Sequence, residues 1–166
     1  MRGGLARQAM PNAHQPGLAI RPVATRMERA MSIAVLLADE HATVREGLRT
    51  LLHTQPDIQV VAEACTYAQA IHAAHRKRPD VAIVDIALRG GGLEAARRIG
   101  EICPRTQVII LSMHANHAYV HDALRMGACG YLLKEMIGAQ VVEAVRAVHG
   151  GLRYLSPGAD VVPDEE

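Results

Sequence analysis

Four short apolar runs, each closed by a polar or charged group, constrain this chain more than anything else in it. The driest is Val81-Ala82-Ile83-Val84, entered through Pro79-Asp80 and left at Asp85. A run that is apolar at every position suits a strand of a parallel sheet, buried on both faces. Ile33 to Ala38 repeats the design and closes on Asp39-Glu40-His41. Gln107 to Leu111 closes on Ser112, and Gly130 to Leu133 closes on Lys134. A fifth run, Ile58 to Ala62, partly alternates and reads as an edge strand.

Helical stripes lie between the runs. Val44, Leu48, Leu51 and Leu52 share one face, with Thr43 as the expected cap and Glu46 three residues on. Tyr67, Ile71 and Ala74 mark a second helix, which ends in the cations His75 to Arg78 that a helix C-terminus favours. A third, near residues 93 to 103, is closed by Pro104. The fourth carries Val120, Ala123 and Leu124 and runs to about Met126. The fifth carries Val141, Val145 and Val148 and stops at Gly150-Gly151. Five strands alternating with five helices predict an α/β fold with parallel strands and right-handed crossovers. The expected architecture is a flavodoxin-like doubly wound (βα)5 sheet in the order 2-1-3-4-5, which sets the two driest runs side by side at the switch point.

Composition narrows the function. There are four Tyr and no Phe or Trp, so the core is aliphatic and stacking on single-stranded nucleic acid has little to use. Residues 1–30 hold five arginines against one glutamate, a net +4, whereas residues 31–166 hold 13 basic against 16 acidic residues, a net −3. The folding part is mildly acidic, which argues against a DNA-binding face. Cys65, Cys103 and Cys129 form no C-x-x-C pair and suit reduced core thiols in a cytoplasmic protein. No run approaches the roughly 20 apolar residues of a membrane span.

The strand ends bring chemistry to one edge. In open α/β sheets ligands sit in the crevice beyond the carboxyl ends of the strands. Asp39, Glu40 and Asp85 are expected there with Ser112 and Lys134. Carboxylates crowded into one crevice repel until a cation joins them, and an all-oxygen set with few ligands suits Mg²⁺. Lys134 adds a point charge and Ser112 a hydroxyl, which together suit a phosphoryl group. Singly, each residue has a plainer reading: an Asp as a cap, Lys134 as a surface charge, Ser112 as a turn residue. Tyr131 alone reads as an edge-strand aromatic with a wet hydroxyl.

Taken in order, Leu36 to His41, Pro79 to Asp85, Leu111 to His114 and Gly130 to Lys134 resemble the receiver domain of bacterial two-component response regulators, in the NarL/FixJ-type branch. The resemblance covers residues 33 to about 157. It implies that Asp85 is the phosphoacceptor, taking a phosphoryl group from a sensor histidine kinase. It also implies that Asp39, Glu40, Asp85 and the backbone carbonyl of Ala87 hold Mg²⁺, and that Ser112 and Lys134 bind the phosphoryl oxygens. Tyr131 becomes the switch aromatic beside Ser112, and His114 a residue that tunes dephosphorylation. Such a domain is not an enzyme beyond self-phosphorylation and slow autodephosphorylation at Asp85; it switches a downstream, transcription-related output.

This chain departs from the family pattern in two places. The loop after Asp85 is one residue short, with Arg89 where a proline is usual, and its three glycines Gly90 to Gly92 make it costly to order. Glu40 stands where the family usually has Asp. These departures favour an alternative, a degenerate receiver that binds partners independently of phosphorylation. A flavodoxin-like binder of FMN or nucleotide is disfavoured, because Asp39 to Thr43 is acidic where phosphate recognition needs glycines. His114, His117 and His121 fall at i, i+3 and i+7, a ligand-like spacing for a transition metal, with a solvated helix face as the simpler reading.

The expected organisation is a disordered leader or misplaced start over residues 1–30, a receiver over 31–152, and a linker-like tail over 153–166. Tyr154-Leu155-Ser156-Pro157 resembles the start of a linker to a helix-turn-helix domain, but nine residues follow it against the roughly 50 a domain needs. Direct DNA binding by this chain is therefore not expected. A homodimer through helix faces is.

Overall fold

The apolar runs become strands because both of their faces find something dry to cover them. In the computed structural model, which describes residues 31–159, they form β1 (Ile33–Ala38), β2 (Ile58–Ala64), β3 (Val81–Asp85), β4 (Gln107–Ser112) and β5 (Gly130–Leu133). The readings on residues 1–30 and on the acidic end lie outside the described residues. Between the strands run α1 (Ala42–His53), α2 (Tyr67–Lys77), α3 (Gly92–Ile102), α4 (His117–Arg125) and α5 (Ile137–His149). All strand pairs are parallel, and the order is β2-β1-β3-β4-β5 with a sixth strand, β6 (Tyr154–Leu155), beyond β5. The doubly wound order expected from the sequence is borne out.

Side-chain alternation along the strands sorts the core into two layers. Leu36, Val84 and Ile110 point to one face and pack in a cluster with Ala70 and Ala74 of α2, Ile99 of α3 and Val120 of α4. Val35, Leu37, Ile83 and Ile109 point to the other, with Leu48 and Leu52 of α1 and Val141, Val145 and Val148 of α5. Every residue of β3 is buried, as a central strand covered on both faces must be. Among the described residues, no helix is long and apolar enough to cross a membrane.

Two features differ from expectation. Thr43 does not cap α1: the N-cap is His41, extended at φ −87° and ψ 110°, and Thr43 lies within the first turn. The reason is local, since Asp39 Oδ1 accepts the His41 N–H at 2.8 Å and turns the chain before Thr43 is reached. The second is β6, too short for any periodicity to announce. Its anchor is the buried Ser156, whose N–H donates to the Tyr131 carbonyl at 2.9 Å. The Ser156 hydroxyl accepts the Leu133 N–H at 3.0 Å and lies 2.9 Å from Gln140 Oε1. Residues 154–159 thus belong to the folded body.

Candidate functional site

Asp39 follows β1 and Asp85 ends β3. Those strands are neighbours in register, with Ala38 opposite Val84, so the two carboxylates stand side by side at the carboxyl edge. Each is only 1% exposed. Burying two anions together is costly unless a cation is supplied. Lys134, the first residue past β5, supplies it: Nζ lies 3.0 Å from Asp39 Oδ2 and 2.9 Å from Asp85 Oδ2. Burial works against the Lys134 charge, but the hydrogen bonds to Asp85 and Asp39, and their fields, outweigh it and hold the ammonium above its usual pKa.

The remaining carboxylate oxygens are also positioned. Asp85 Oδ1 accepts the Ala87 N–H at 3.1 Å. Asp39 Oδ1 accepts the His41 N–H and lies 3.1 Å from His41 Nδ1. The Asp39 carbonyl takes the Arg45 guanidinium at 2.6 Å, which fixes the loop from behind. Ligand atoms of Asp39, His41 and Asp85 all lie within 4.8 Å of one another. Two buried carboxylates of this kind fit a hard divalent cation that keeps part of its water shell.

Glu40 stands differently. Its side chain is half-buried, and Oε2 lies 3.8 Å from Arg89 Nε across the crevice rim. In its place the tight group includes His41, which strand-end reasoning passed over. The signal was present, a third polar residue after β1, but an apolar run cannot say which of the side chains after it turns inward.

Ser112 ends β4 fully buried, and its hydroxyl oxygen accepts the His114 N–H at 3.0 Å. Tyr131, in β5, is fully buried, and its hydroxyl donates to the His114 carbonyl at 2.7 Å. The edge-strand reading of Tyr131 with a wet hydroxyl is overturned, because β6 covers β5 and the 113–116 loop receives the phenol. Burial pushes that phenol up, and the Tyr119 side chain adds to the rise while a Ser112 hydrogen bond opposes it. His114, His117 and His121 are all exposed, and His114 stacks on Tyr119 with ring centroids 5.8 Å apart. These histidines make no tight ligand group among the described residues, so the solvated face is the reading that holds.

The loop from Asp85 to α3 is tied at every step. Leu88 is buried, and its N–H donates to the Asp85 carbonyl at 3.0 Å. The Gly91 N–H reaches the Leu88 carbonyl at 2.8 Å, and the Arg89 carbonyl accepts the Tyr67 N–H at 2.8 Å. The glycines have separate causes. Gly90 and Gly91 take φ of +95° and +108°, whereas a Cβ on Gly92 would stand 2.0 Å from the Asp85 carbonyl oxygen. The entropic cost expected of three glycines is thus met by a fixed route.

The profile of the response regulator receiver domain matches residues 35–146. The chain belongs to that family. Receiver sequences similar to it include the transcriptional regulatory protein DegU of Brevibacillus brevis, 36% identical over 126 residues. That alignment covers 75% of this chain and 53% of DegU. The oxygen regulatory protein NreC of Staphylococcus carnosus is 38% identical over 125 residues, 74% of this chain and 58% of NreC. The chain therefore spans rather more than half the length of these relatives. Among solved structures, a LuxR-family two-component response regulator from Aurantimonas sp. SI85-9A1 superposes with a TM-score of 0.74 at 35% identity, covering 77% of this chain and 92% of that one. The signal receiver domain of the putative response regulator NarL from Mycobacterium tuberculosis superposes with a TM-score of 0.63 at 31% identity, covering 69% of this chain and 97% of that one. The receiver is thus of the NarL/LuxR type within two-component signalling.

Proposed function

We propose that this receiver is a phosphorylation switch in which Asp85 accepts a phosphoryl group from the phosphohistidine of a sensor kinase. The observation that carries the reading is Lys134 bridging the buried carboxylates of Asp39 and Asp85 at 3.0 and 2.9 Å. An Asp85 carboxylate oxygen attacks phosphorus, the P–N bond breaks, and its electron pair stays on the kinase imidazole. The product is an aspartyl phosphate. Asp39 and Asp85, with the Ala87 carbonyl and Glu40 at the rim, would hold Mg²⁺, which when bound neutralises charge on the phosphoryl oxygens.

The chain's own residues do the rest. Lys134 exchanges a carboxylate contact for a phosphoryl oxygen. Ser112, whose hydroxyl oxygen accepts the His114 N–H at 3.0 Å, turns its hydroxyl hydrogen to another. The Tyr131 ring and the His114 loop that holds it are then free to report the event to α4, β5 and α5. Such a switch would act inside the cell on a transcription-related output; of the relatives, DegU is named a transcriptional regulatory protein.

The test is mass measurement after incubation with a small phosphodonor and Mg²⁺. One added phosphoryl group, absent in Asp85→Asn, supports the reading; no addition, or addition that survives Asp85→Asn, sinks it. In that event a phosphorylation-independent interaction module takes its place, a reading that the Arg89–Glu40 pair at 3.8 Å favours by drawing Glu40 aside.

A further inference from the structure

We infer that Arg89 is a specificity-determining residue at the mouth of the crevice, where its guanidinium receives the phosphoryl group of a small acyl phosphate on the way to Asp85. The inference rests on the reading of Asp85 as phosphoacceptor and adds a donor-binding residue to it.

Three observations carry it. The Arg89 main chain is fixed: its carbonyl accepts the Tyr67 N–H at 2.8 Å, it forms a parallel bridge with Thr66, and Leu88 before it is buried. The side chain, by contrast, is 77% exposed and reaches across the rim, with Nε 3.8 Å from Glu40 Oε2. Glu40 follows Asp39, so the guanidinium spans the mouth from the loop after β3 to the end of β1. The other cations beside the crevice are committed, Lys134 to the carboxylates of Asp39 and Asp85, and Arg45 to the Asp39 carbonyl and Glu63.

Charge gives that guanidinium its task. With His41 neutral, the carboxylates of Asp39, Glu40 and Asp85 outnumber Lys134 and repel a dianionic donor. An exposed pair such as Arg89–Glu40 is held weakly, so the guanidinium leaves Glu40 at little cost. Its planar N–H fork then fits two phosphoryl oxygens, a geometry that an ammonium does not offer. Transfer follows as an Asp85 oxygen attacks phosphorus: the P–O bond to the acyl group breaks, and its electron pair leaves on the acyl carboxylate. Arg89 neither gives nor takes a proton in this step; it holds the donor.

Initial rates of phosphoryl gain by the full chain, followed by mass over a range of acetyl phosphate concentrations at saturating Mg²⁺, test it. The bonds that hold the loop are main-chain ones, so Arg89→Ala keeps its fold. It is expected to raise KM roughly tenfold with the maximal rate kept, and Arg89→Lys to recover part of the loss. Added salt should raise the wild-type KM more steeply than that of Arg89→Ala. Arg105→Ala removes the same charge from the turn between α3 and β4, at the opposite edge of the sheet, and should leave KM unchanged. An unchanged or lower KM in Arg89→Ala, or an equal rise in Arg105→Ala, overturns the inference and leaves the phosphoacceptor reading standing. No phosphoryl gain in the wild type overturns both.

Discussion

Lys134 is the residue on which the buried charges depend. Removing one partner of a buried ion pair typically costs about 3–5 kcal/mol, because the other charge is left without a counter-ion. The Lys134 side chain is 13% exposed, so Lys134→Ala is expected near the lower end, about 3 kcal/mol, by urea unfolding without divalent cations. Adding Mg²⁺ should recover part of the loss, since the ion and the ammonium serve the same carboxylates. The pH dependence follows from the direction of its shift. The folded-state pKa is raised above the ordinary 10.5, so the stabilising contribution is fully present below that value and is lost as pH rises through the folded one. The stability difference between wild type and Lys134→Met should thus stay level from neutral pH to about 10 and shrink above it. A difference already falling near neutral pH would contradict the pairing.

At the scale of elements, the turn from β3 into α3 is set by where it passes. A Cβ at Gly92 meets the Asp85 carbonyl oxygen at 2.0 Å and the Ile86 Cα at 2.7 Å, and both are backbone atoms that cannot step aside. Gly92→Ala is expected to destabilise by about 3 kcal/mol and to slow phosphoryl acceptance, because the displaced peptide is that of Asp85. Gly91→Ala strains only its own backbone at φ +108° and should cost about 1–2 kcal/mol with acceptance largely kept. Thermal unfolding and phosphodonor kinetics on the two variants separate a close approach from a torsional demand; equal effects on kinetics would refute the distinction. Sequence reasoning located this loop and counted its glycines. It could not tell which glycine stands for space and which for torsion, since that depends on what the loop crosses.

Across the whole molecule, the chain past α5 closes the sheet. Ser156 links β6, β5 and α5 through the Tyr131 carbonyl, the Leu133 N–H and Gln140. Ser156→Ala leaves the Leu133 N–H and the Gln140 side chain without that partner and should cost about 1–3 kcal/mol. Hydrogen exchange should show the loss first at Leu133, one residue before Lys134, and a uniform change over all strands would argue against a local anchor. The strand order, the helix faces and the edge at which Asp39, Asp85, Ser112 and Lys134 meet were all legible in the sequence. Burial on both faces demands unbroken apolar runs, and parallel strands send all their carboxyl ends the same way. The tertiary structure alone decided that His41 rather than Glu40 joins the tight group, that Tyr131 is dry, and that residues 154–159 are part of the body. Each of those depends on a partner from a distant stretch — Arg89, the His114 loop, β5 — and side-chain periodicity carries no information about such partners.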